Sequence, residues 1–386
     1  MPDIASLMRD PAVGNALAWI DANTGTVIEE AIRVCEIPAP TFEEAERAAY
    51  VKDRFVALGL ADVTIDRAGN VRGRRPGAGG GPGLAVGAHL DTVFPKGTNV
   101  RVQRAGSRLL APGIGDNSVA VAALLAMVEA LDAGGVGTAG DLYLTCNTGE
   151  EGLGDLKGMK VFVADVKDQV QALVALEGMK INRIIHIAVG SRRYKVTFTA
   201  RGGHSWGHFP SPSAVHIMGR AIADISRLEV PSDPKTTYNV GVVRGGTTVN
   251  TIASDAEMLV DMRSVDVQAL ADLERRVLGI IERTAKAGDG NATLDLVGDR
   301  PAGSIPATHP VVETCKAVHR ALGLQTFIEA SSTDVNAALG AGLPGVCLSI
   351  TEGANEHRLD EYIETGPVPT GVKNILLATV ALAGKA

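Results

Sequence analysis

The chain has 386 residues, of which 45 % are apolar and 4 % aromatic, and its 44 acidic residues outnumber 37 basic ones. This size is typical of a globular protein with two domains. The mildly acidic balance, without a long basic run, argues against nucleic acid as a partner and favours a small molecule or short peptide. No segment resembles a signal peptide or a membrane span, and the four scattered cysteines form no Cys-x-x-Cys pair. We therefore expect a cytoplasmic protein with no membrane partner.

The N-terminal part of the chain predicts helices joined by loops. Apolar spacing predicts a helical region over residues 10–36 and a helix over residues 41–58. Thr41 and Glu44 have the spacing of a capping box, in which two side chains satisfy free N–H groups at a helix start. The glycine-rich segment 76–83 lacks the Gly-Lys-Ser/Thr ending of a phosphate-binding loop, so we expect a hairpin connection there.

The pattern of alternation then changes within the chain. A helix over residues 118–131 and a strand over 141–147 imply a mostly parallel sheet with helices on both faces. From Tyr194 to Ala200, apolar residues alternate with polar ones, which indicates a half-exposed antiparallel strand. Helix–strand alternation returns after Pro301. The sequence therefore predicts an α/β fold whose catalytic domain, residues 1–182 and 300–386, is interrupted by a two-layer α+β insert, residues 183–299.

Two adjacent acids stand out directly after the strand-like run 142–146. Glu150 and Glu151 lie between glycines, and two neighbouring carboxylates are costly to hold together unless a cation or a proton transfer separates their roles. Other histidines and acids lie at strand ends or helix starts, where an α/β sheet builds its active site. The set predicted to hold metal is His89, Asp116, Glu151, Glu177 and His357. Two imidazoles and three carboxylates suit two divalent cations, either zinc or, because oxygen-rich sites discriminate poorly, cobalt or manganese.

Two neighbours of these residues have predicted catalytic roles. Glu150 is the candidate general base that takes a proton from a metal-activated water and passes it to the leaving nitrogen. Asp91, two residues after His89, is expected to accept the other N–H of that imidazole. A single histidine after a strand is more often structural, and a pair of glutamates is usually solvated. Their joint placement favours a metal-dependent hydrolase.

Six segments resemble, in order, the motifs of one family of two-zinc metallopeptidases. That family contains aminoacylase, carboxypeptidase G, succinyl-diaminopimelate desuccinylase and peptidase T. The resemblance extends from about residue 30 to the C-terminus. The segments are residues 87–93, 113–117, 149–154, 202–205, 245–250 and 357–362.

The resemblance implies a zinc-peptidase-like catalytic domain with an inserted lid or dimerisation domain, which makes the protein a homodimer. Two zinc ions per subunit would then serve hydrolysis of an amide or peptide bond. Carried over by motif, Asp116 would bridge the metals. His89 and Glu177 would complete one site, and Glu151 and His357 the other. The family also uses a cis peptide bond directly after the bridging aspartate.

The resemblance also assigns substrate contacts to the insert. His204 matches an imidazole that reaches the neighbouring subunit's active site and stabilises the oxyanion, although a structural role in its turn is the alternative. Asn250 and Arg263 match positions that hold polar groups of the substrate. A guanidinium suits a carboxylate, while a salt bridge at a strand end is the alternative for Arg263. The strand over residues 194–200 is expected to offer an edge for dimer pairing.

Two departures from the family pattern affect the expected substrate. Arg358 and Leu359 replace the small residue and proline that often follow the last histidine, which predicts an additional charge at the pocket edge. Glu177 replaces the aspartate of the dipeptidase and tripeptidase branches, which favours acylases and carboxypeptidases. The sequence thus predicts hydrolysis of a small N-acyl amino acid or short peptide. The alternatives are a di- or tripeptide aminopeptidase of the peptidase T type and a non-catalytic binding protein of the same fold.

Overall fold

The computed structural model describes residues 3–386. The chain divides into two compact units, the first formed by the chain up to Ala188 together with Ser304–Ala386 and the second by Val189–Gly303. The second unit is therefore an insert within the first. Its limits differ by a few residues from those expected, because the strand Arg183–Ala188 pairs within the sheet of the first unit.

Up to Ala188 the first unit alternates helices and strands. Its helices are Ile4–Arg9 (α1), Pro11–Ala22 (α2), Thr24–Cys35 (α3), Ala45–Ala57 (α4), Val119–Gly134 (α5) and Lys157–Val166 (α6). Its strands are Ala61–Ile65 (β1), Val71–Arg75 (β2), Gly83–His89 (β3), Gln103–Ala105 (β4), Arg108–Leu110 (β5), Leu142–Asn147 (β6), Val170–Met179 (β7) and Arg183–Ala188 (β8).

The insert and the returning chain follow in order. The insert contains Gly190–Thr199 (β9), Gly203–His204 (β10), Ala214–Ile225 (α7), Thr236–Gly245 (β11), Thr251–Ile252 (β12), Asp255–Ser264 (β13), Val267–Ala287 (α8) and Asn291–Arg300 (β14). The remaining elements are Gly303–Ser304 (β15), Pro310–Ala321 (α9), Phe327–Ser331 (β16), Val335–Gly340 (α10), Gly345–Thr351 (β17), Gly353–Ala354 (β18), Tyr362–Glu364 (β19) and Val368–Ala383 (α11).

The large sheet of the first unit has a parallel centre. Its strand order is β1-β2-β6-β3-β7-β17-β8-β15, and β16 pairs with β8. The central pairs β6/β3, β3/β7 and β7/β17 are parallel, whereas β2 and β8 run antiparallel to their neighbours β6 and β17. Because β6 lies between β2 and β3, the glycine-rich segment joining these two strands is not the hairpin that we expected. That prediction was wrong because local sequence does not show which later strand enters the sheet.

Helices cover both faces of this sheet, as the alternation predicted. Leu84 and Val86 of β3 face the core that contains α2, α3, α5 and α11, while Ala85 faces the core that contains α6 and α10. Among residues 3–386, one helical stretch, Ile114–Gly134, is long and apolar enough to cross a membrane, but 89 % of its apolar window is buried within the protein. It is a central helix of the core, as that degree of burial indicates.

The insert is a two-layer unit. Its four strands are antiparallel in the order β11-β13-β9-β14, and α7 and α8 pack on one face. Val196 and Phe198 of β9 are buried, which agrees with the predicted alternation. However, β9 forms hydrogen bonds with β13 on one side and β14 on the other, so it offers no edge for a dimer. The expected edge role of residues 194–200 was wrong, and β11 and β14 are the edge strands of this sheet.

The predicted capping box at the start of α4 is also absent. The Thr41 hydroxyl donates a hydrogen bond of 3.0 Å to the carboxylate of Asp91. The carboxylate of Glu44 accepts from the main-chain N–H groups of Phe42 at 3.0 Å and Gly149 at 3.1 Å. These side chains therefore connect the loop before α4 to the loops that follow β3 and β6. The helical region predicted over residues 10–36 is interrupted at Asn23, where α2 ends and α3 begins.

Candidate metal centre

Parallel strands bring three of the predicted ligands to one edge of the large sheet. His89 is the last residue of β3, and its cross-strand partner Asn147 ends β6, shortly before Glu151. Glu177 lies near the end of the adjacent strand β7. Because the carboxyl ends of parallel strands meet at one edge, side chains far apart in sequence lie together there.

Loops supply the other two predicted ligands. Asp116 lies in a π-helical turn, Ile114–Ser118, directly before α5. The peptide bond between Asp116 and Asn117 is cis, as expected. The Asn117 side-chain amide donates to the main-chain oxygen of Leu176 at 2.8 Å, which anchors the turn to β7. His357 lies between β18 and β19 with a φ of 64°.

The five side chains form two groups that share Asp116. One group is His89, Asp116 and Glu177, the other is Asp116, Glu151 and His357, and the ligand atoms of each lie within 4.8 Å of one another. Asp116 Oδ1 lies 3.1 Å from His89 Nε2, and Asp116 Oδ2 lies 3.1 Å from His357 Nε2. His357 Nε2 is also 3.1 Å from Glu151 Oε1, and His89 Nε2 is 3.8 Å from Glu177 Oε2. The two oxygens of one carboxylate thus face two different groups, as in a bridging ligand.

The centre has a strongly negative potential that raises the pKa of both imidazoles. Hydrogen bonds with Asp116 and Glu151 raise the pKa of His357 to about 11. Burial together with the neighbouring charge of Asp116 raises the pKa of Glu151 to about 7. Burial opposes the ionisation of Asp116 itself, but hydrogen bonds from His357 and His89 outweigh burial and hold its pKa below the usual value. A cluster of nitrogen and oxygen atoms whose surroundings favour positive charge so strongly fits divalent cations.

Asp91 organises the centre differently from the expected way. His89 Nδ1 lies 3.1 Å from the main-chain oxygen of Asp91 but 3.6 Å from its carboxylate. The carboxylate instead accepts from the main-chain N–H groups of Glu150 and Glu151, both at 2.9 Å. Asp91 therefore orients the imidazole through its main chain and fixes the acid pair through its side chain.

Glu361 was part of a recognised motif but had no predicted role. Its buried carboxylate accepts from the main-chain N–H groups of Gly113 at 3.1 Å, Gly115 at 2.7 Å and Asp116 at 2.9 Å. Burial raises the pKa of this carboxyl to about 7, although the three N–H groups favour its ionised form. Because Glu361 follows His357 by four residues, it ties the loop of one ligand to the turn of another.

Arg47 is a second residue that the sequence did not indicate. It is fully buried on α4 and donates to the main-chain oxygens of Ile37, Cys35 and Leu90, the last at 2.6 Å. Leu90 directly follows His89, so this guanidinium holds the strand end that carries a ligand. Because arginines are mostly exposed, nothing in the sequence marks this one as buried.

Within the insert, the structure brings His204 and Asn250 together. The short strands β10 and β12 pair His204 with Thr251, and the N–H of Ser205 donates to the main-chain oxygen of Asn250 at 3.0 Å. His204 Nδ1 accepts from the N–H groups of Trp206 and Gly207, both at 3.2 Å. In the neutral ring the proton therefore lies on Nε2, which leaves that atom as a hydrogen-bond donor.

Arg263 lies apart from this pair. Arg263 is near the end of β13, and the strand begins at Asp255. At about 3.3 Å per residue, Arg263 lies roughly 26 Å along the strand from Asp255. Arg263 Nε donates to Asp261 at 2.8 Å, and Asp261 also accepts from Arg193. Arg263 therefore forms the salt bridge that was the alternative to a substrate contact, although only its Nε group takes part.

The unusual arginine after His357 is paired on its own loop. Arg358 donates to the carboxylate of Asp360 through Nε at 2.9 Å and through Nη2 at 3.1 Å. This two-bond contact offsets the charge that the sequence predicted at the pocket edge.

Comparisons with known proteins support the fold. Residues 188–289 match the model of the Peptidase dimerisation domain, and residues 70–215 match the model of Peptidase family M28. The uncharacterised protein YqjE of Bacillus subtilis is 23 % identical over 85 % of this chain and 91 % of its own length. Acetylornithine deacetylase of Klebsiella pneumoniae is 24 % identical, but the match covers 44 % of this chain and 46 % of that enzyme.

Two solved structures have the same fold. The aminopeptidase PepT of Bacillus cereus superposes with a TM-score of 0.80 at 21 % identity, and covers 94 % of this chain and 99 % of its own. The YxeP protein of Bacillus subtilis, described as a dinuclear metal-binding peptidase of the M20 family, superposes with a TM-score of 0.71 at 16 % identity over the same shares. These matches confirm the resemblance predicted from the motifs: the chain has the same fold as these peptidases and contains a segment that matches the peptidase dimerisation domain.

Proposed function

We propose that the chain hydrolyses the amide or peptide bond of a small N-acyl amino acid or short peptide, with two divalent cations in each subunit. The observation that carries this proposal is the orientation of Asp116, whose two oxygens face His89 on one side and His357 on the other. Acetylornithine is itself an N-acyl amino acid, so the similarity to its deacetylase supports this substrate class.

The ligand assignment follows the two groups of side chains. Asp116 would bridge the two cations, His89 and Glu177 would complete one site, and Glu151 and His357 would complete the other. We expect zinc as the native metal, with cobalt or manganese as alternatives. When bound, two such cations polarise the scissile carbonyl and lower the pKa of a shared water.

Glu150 is the proposed general base. It takes the proton from the attacking water and delivers it to the leaving nitrogen, which is the exchange that amide cleavage requires. Its main chain is fixed by the Asp91 carboxylate, and its side chain is buried, so the carboxylate is held in a restricted environment. The main-chain N–H of the adjacent Glu151 donates to the same carboxylate. Two consecutive residues are thus held in place, one for the proposed role of base and the other for that of ligand.

We further propose that the protein acts as a homodimer through its insert. Arg263 lies roughly 26 Å along β13 from Asp255, the end of that strand that follows the His204–Thr251 pair in the chain, so we do not expect one insert to place His204, Asn250 and Arg263 on the same small substrate. In a dimer, His204 and Asn250 of one copy serve the active site of its neighbour. There the Nε2 proton of His204 stabilises the developing oxyanion, while Arg263 Nη groups hold a polar group of the substrate.

A second candidate is a di- or tripeptide aminopeptidase of the peptidase T type. The high structural similarity to PepT favours it. The two candidates differ in whether the substrate must carry a free carboxylate or a free amino group. A non-catalytic binding protein is disfavoured, because all five candidate ligands are present and lie in the two groups that share Asp116. The four cysteines are buried and unpaired, which supports a reducing compartment such as the cytoplasm.

The first prediction concerns the metal. Treatment with a chelator should abolish turnover of N-acyl amino acids or of di- and tripeptides, and added zinc, cobalt or manganese should restore it. Metal content and activity should be measured on the same samples. Full activity in protein shown to contain no metal would refute the proposal.

The second prediction separates the two adjacent acids. Glu150→Gln should keep metal content near that of the wild type and lower kcat by at least about a hundredfold, because it removes only the proton acceptor. Glu151→Gln serves as the matched comparison and should lower metal content instead. The reverse pattern would show that base and ligand have been exchanged.

The third prediction concerns Glu361 as a positioning residue. Glu361→Gln replaces one accepting oxygen by an NH₂ group that cannot accept from the N–H groups of the Asp116 turn. Metal affinity should fall by roughly ten- to a hundredfold, as for residues that orient ligands. Glu364→Gln is the control, because Glu364 pairs with Arg108 at the surface. Equal metal affinity in both variants, measured by competition with a chromogenic chelator, would contradict this role.

The fourth prediction tests whether His204 acts across the dimer. His204→Ala should lose roughly two to three orders of magnitude in kcat without losing metal. Mixing this variant with Glu150→Gln should regenerate activity after subunit exchange, because each hybrid dimer contains one intact site. If exchange is demonstrated by mass but activity does not return, His204 serves its own subunit or a structural role.

A further inference from the structure

The metal centre is open on the side of His357. The His357 side chain is 52 % exposed, whereas His89 is 1 % exposed and Asp116 is 16 % exposed. The side chains of Glu151 and Glu177 are also mostly buried, with 8 % and 14 % of their surface exposed. A substrate must therefore approach past the loop that carries His357.

Along the sequence, two cationic residues lie within three positions of one of the five candidate ligands. They differ in how firmly each is already paired with an acidic side chain. Arg358 follows His357 but is engaged by Asp360 through two hydrogen bonds. Lys180 lies three residues after Glu177, and its Nζ is 3.7 Å from the carboxylate of Glu356, the neighbour of His357. Of these two cations, Lys180 is therefore the one that is available beside the loop that carries His357.

The ion pair between Lys180 and Glu356 is easily exchanged. Both side chains are substantially exposed, at 50 % and 40 %, and the separation of 3.7 Å exceeds that of a close hydrogen bond. Exposed ion pairs of this kind contribute little to stability, because water solvates both charges nearly as well. A substrate carboxylate can therefore replace Glu356 at small cost.

The main chain of Lys180 is nevertheless held in place. The buried side chain of Met179 lies so close to the main chain at Gly115 and Gly353 that a Cβ at either glycine would come within 2.7 Å and 2.5 Å of it. Met179 thus packs between the Asp116 turn and the strand that precedes His357. This contact fixes the starting point of the lysine side chain relative to two ligands.

We propose that Lys180 determines specificity by binding a free carboxylate on the substrate, a role that rests on the proposed hydrolase function. The substrate class is then an N-acyl amino acid, or a peptide cleaved next to its C-terminal residue. The ammonium group leaves Glu356 and pairs with the carboxylate on the leaving-group side of the scissile amide. The same contact disfavours substrates whose only charge near the scissile bond is an amino group.

The test compares an N-acetyl amino acid with its C-terminal amide. In Lys180→Ala, KM for the acid should rise roughly ten- to a hundredfold, as expected for loss of a charge-assisted contact, while KM for the amide and both kcat values stay near those of the wild type. Lys180→Arg should restore most of the affinity for the acid, because it retains the positive charge. Lys167→Ala, at an exposed lysine of the same unit, is the matched control, and metal content is measured in all variants.

Other outcomes overturn the inference in distinguishable ways. If an active wild type shows the same KM for acid and amide, or if Lys180→Ala raises both equally, Lys180 is not the carboxylate contact. If Arg263→Ala alone removes the preference for the acid, that role belongs to the insert. If the metal-loaded wild type cleaves no amide or peptide substrate, the proposed function fails and the inference fails with it.

Discussion

The carboxylate of Asp116, shared between two groups of side chains, is the constraint on which the rest of the site depends. Each of its oxygens lies 3.1 Å from a different imidazole, so the turn that carries it must be fixed on both sides. The Asn117 side-chain amide connects that turn to β7. The Glu361 carboxylate accepts hydrogen bonds from three main-chain N–H groups at the start of the turn. A small shift of this turn would open one group of ligands while crowding the other.

Buried charges of both signs also hold the loops that follow β3 and β6. The Asp91 carboxylate accepts from the main-chain N–H groups of Glu150 and Glu151, and Arg47 donates to the main-chain oxygen of Leu90, next to His89. Each of these contacts satisfies polar groups of loops that would otherwise be costly to bury. The loops at the edge of the sheet therefore acquire the rigidity that ligand geometry requires, although they belong to no helix or strand.

The sequence predicted individual elements better than the connections between them. The helices α4 and α5 and the strands β6 and β9 occur close to their expected places, because periodicity and glycine positions are local properties. The five candidate ligands could be picked out from the sequence because each lies near a strand end or beside a short glycine motif, and the structure brings them together. The failures involve long-range pairing. Neither the position of β6 between β2 and β3 nor that of β9 between β13 and β14 is encoded in neighbouring residues. For the same reason, the capping pattern of Thr41 and Glu44 concealed contacts with loops far along the chain.

The insertion of one unit within the other also sets an order of folding during synthesis. Val189–Gly303 has its own hydrophobic core, and its sheet pairs only strands within that range, so it can fold once Gly303 has left the ribosome. The large sheet is incomplete at that time, because β17 comes from the last part of the chain and separates β7 from β8. His357 and Glu361 are made later still. The nascent chain therefore carries a finished insert before the candidate ligands His89, Asp116, Glu151 and Glu177 can be joined by His357.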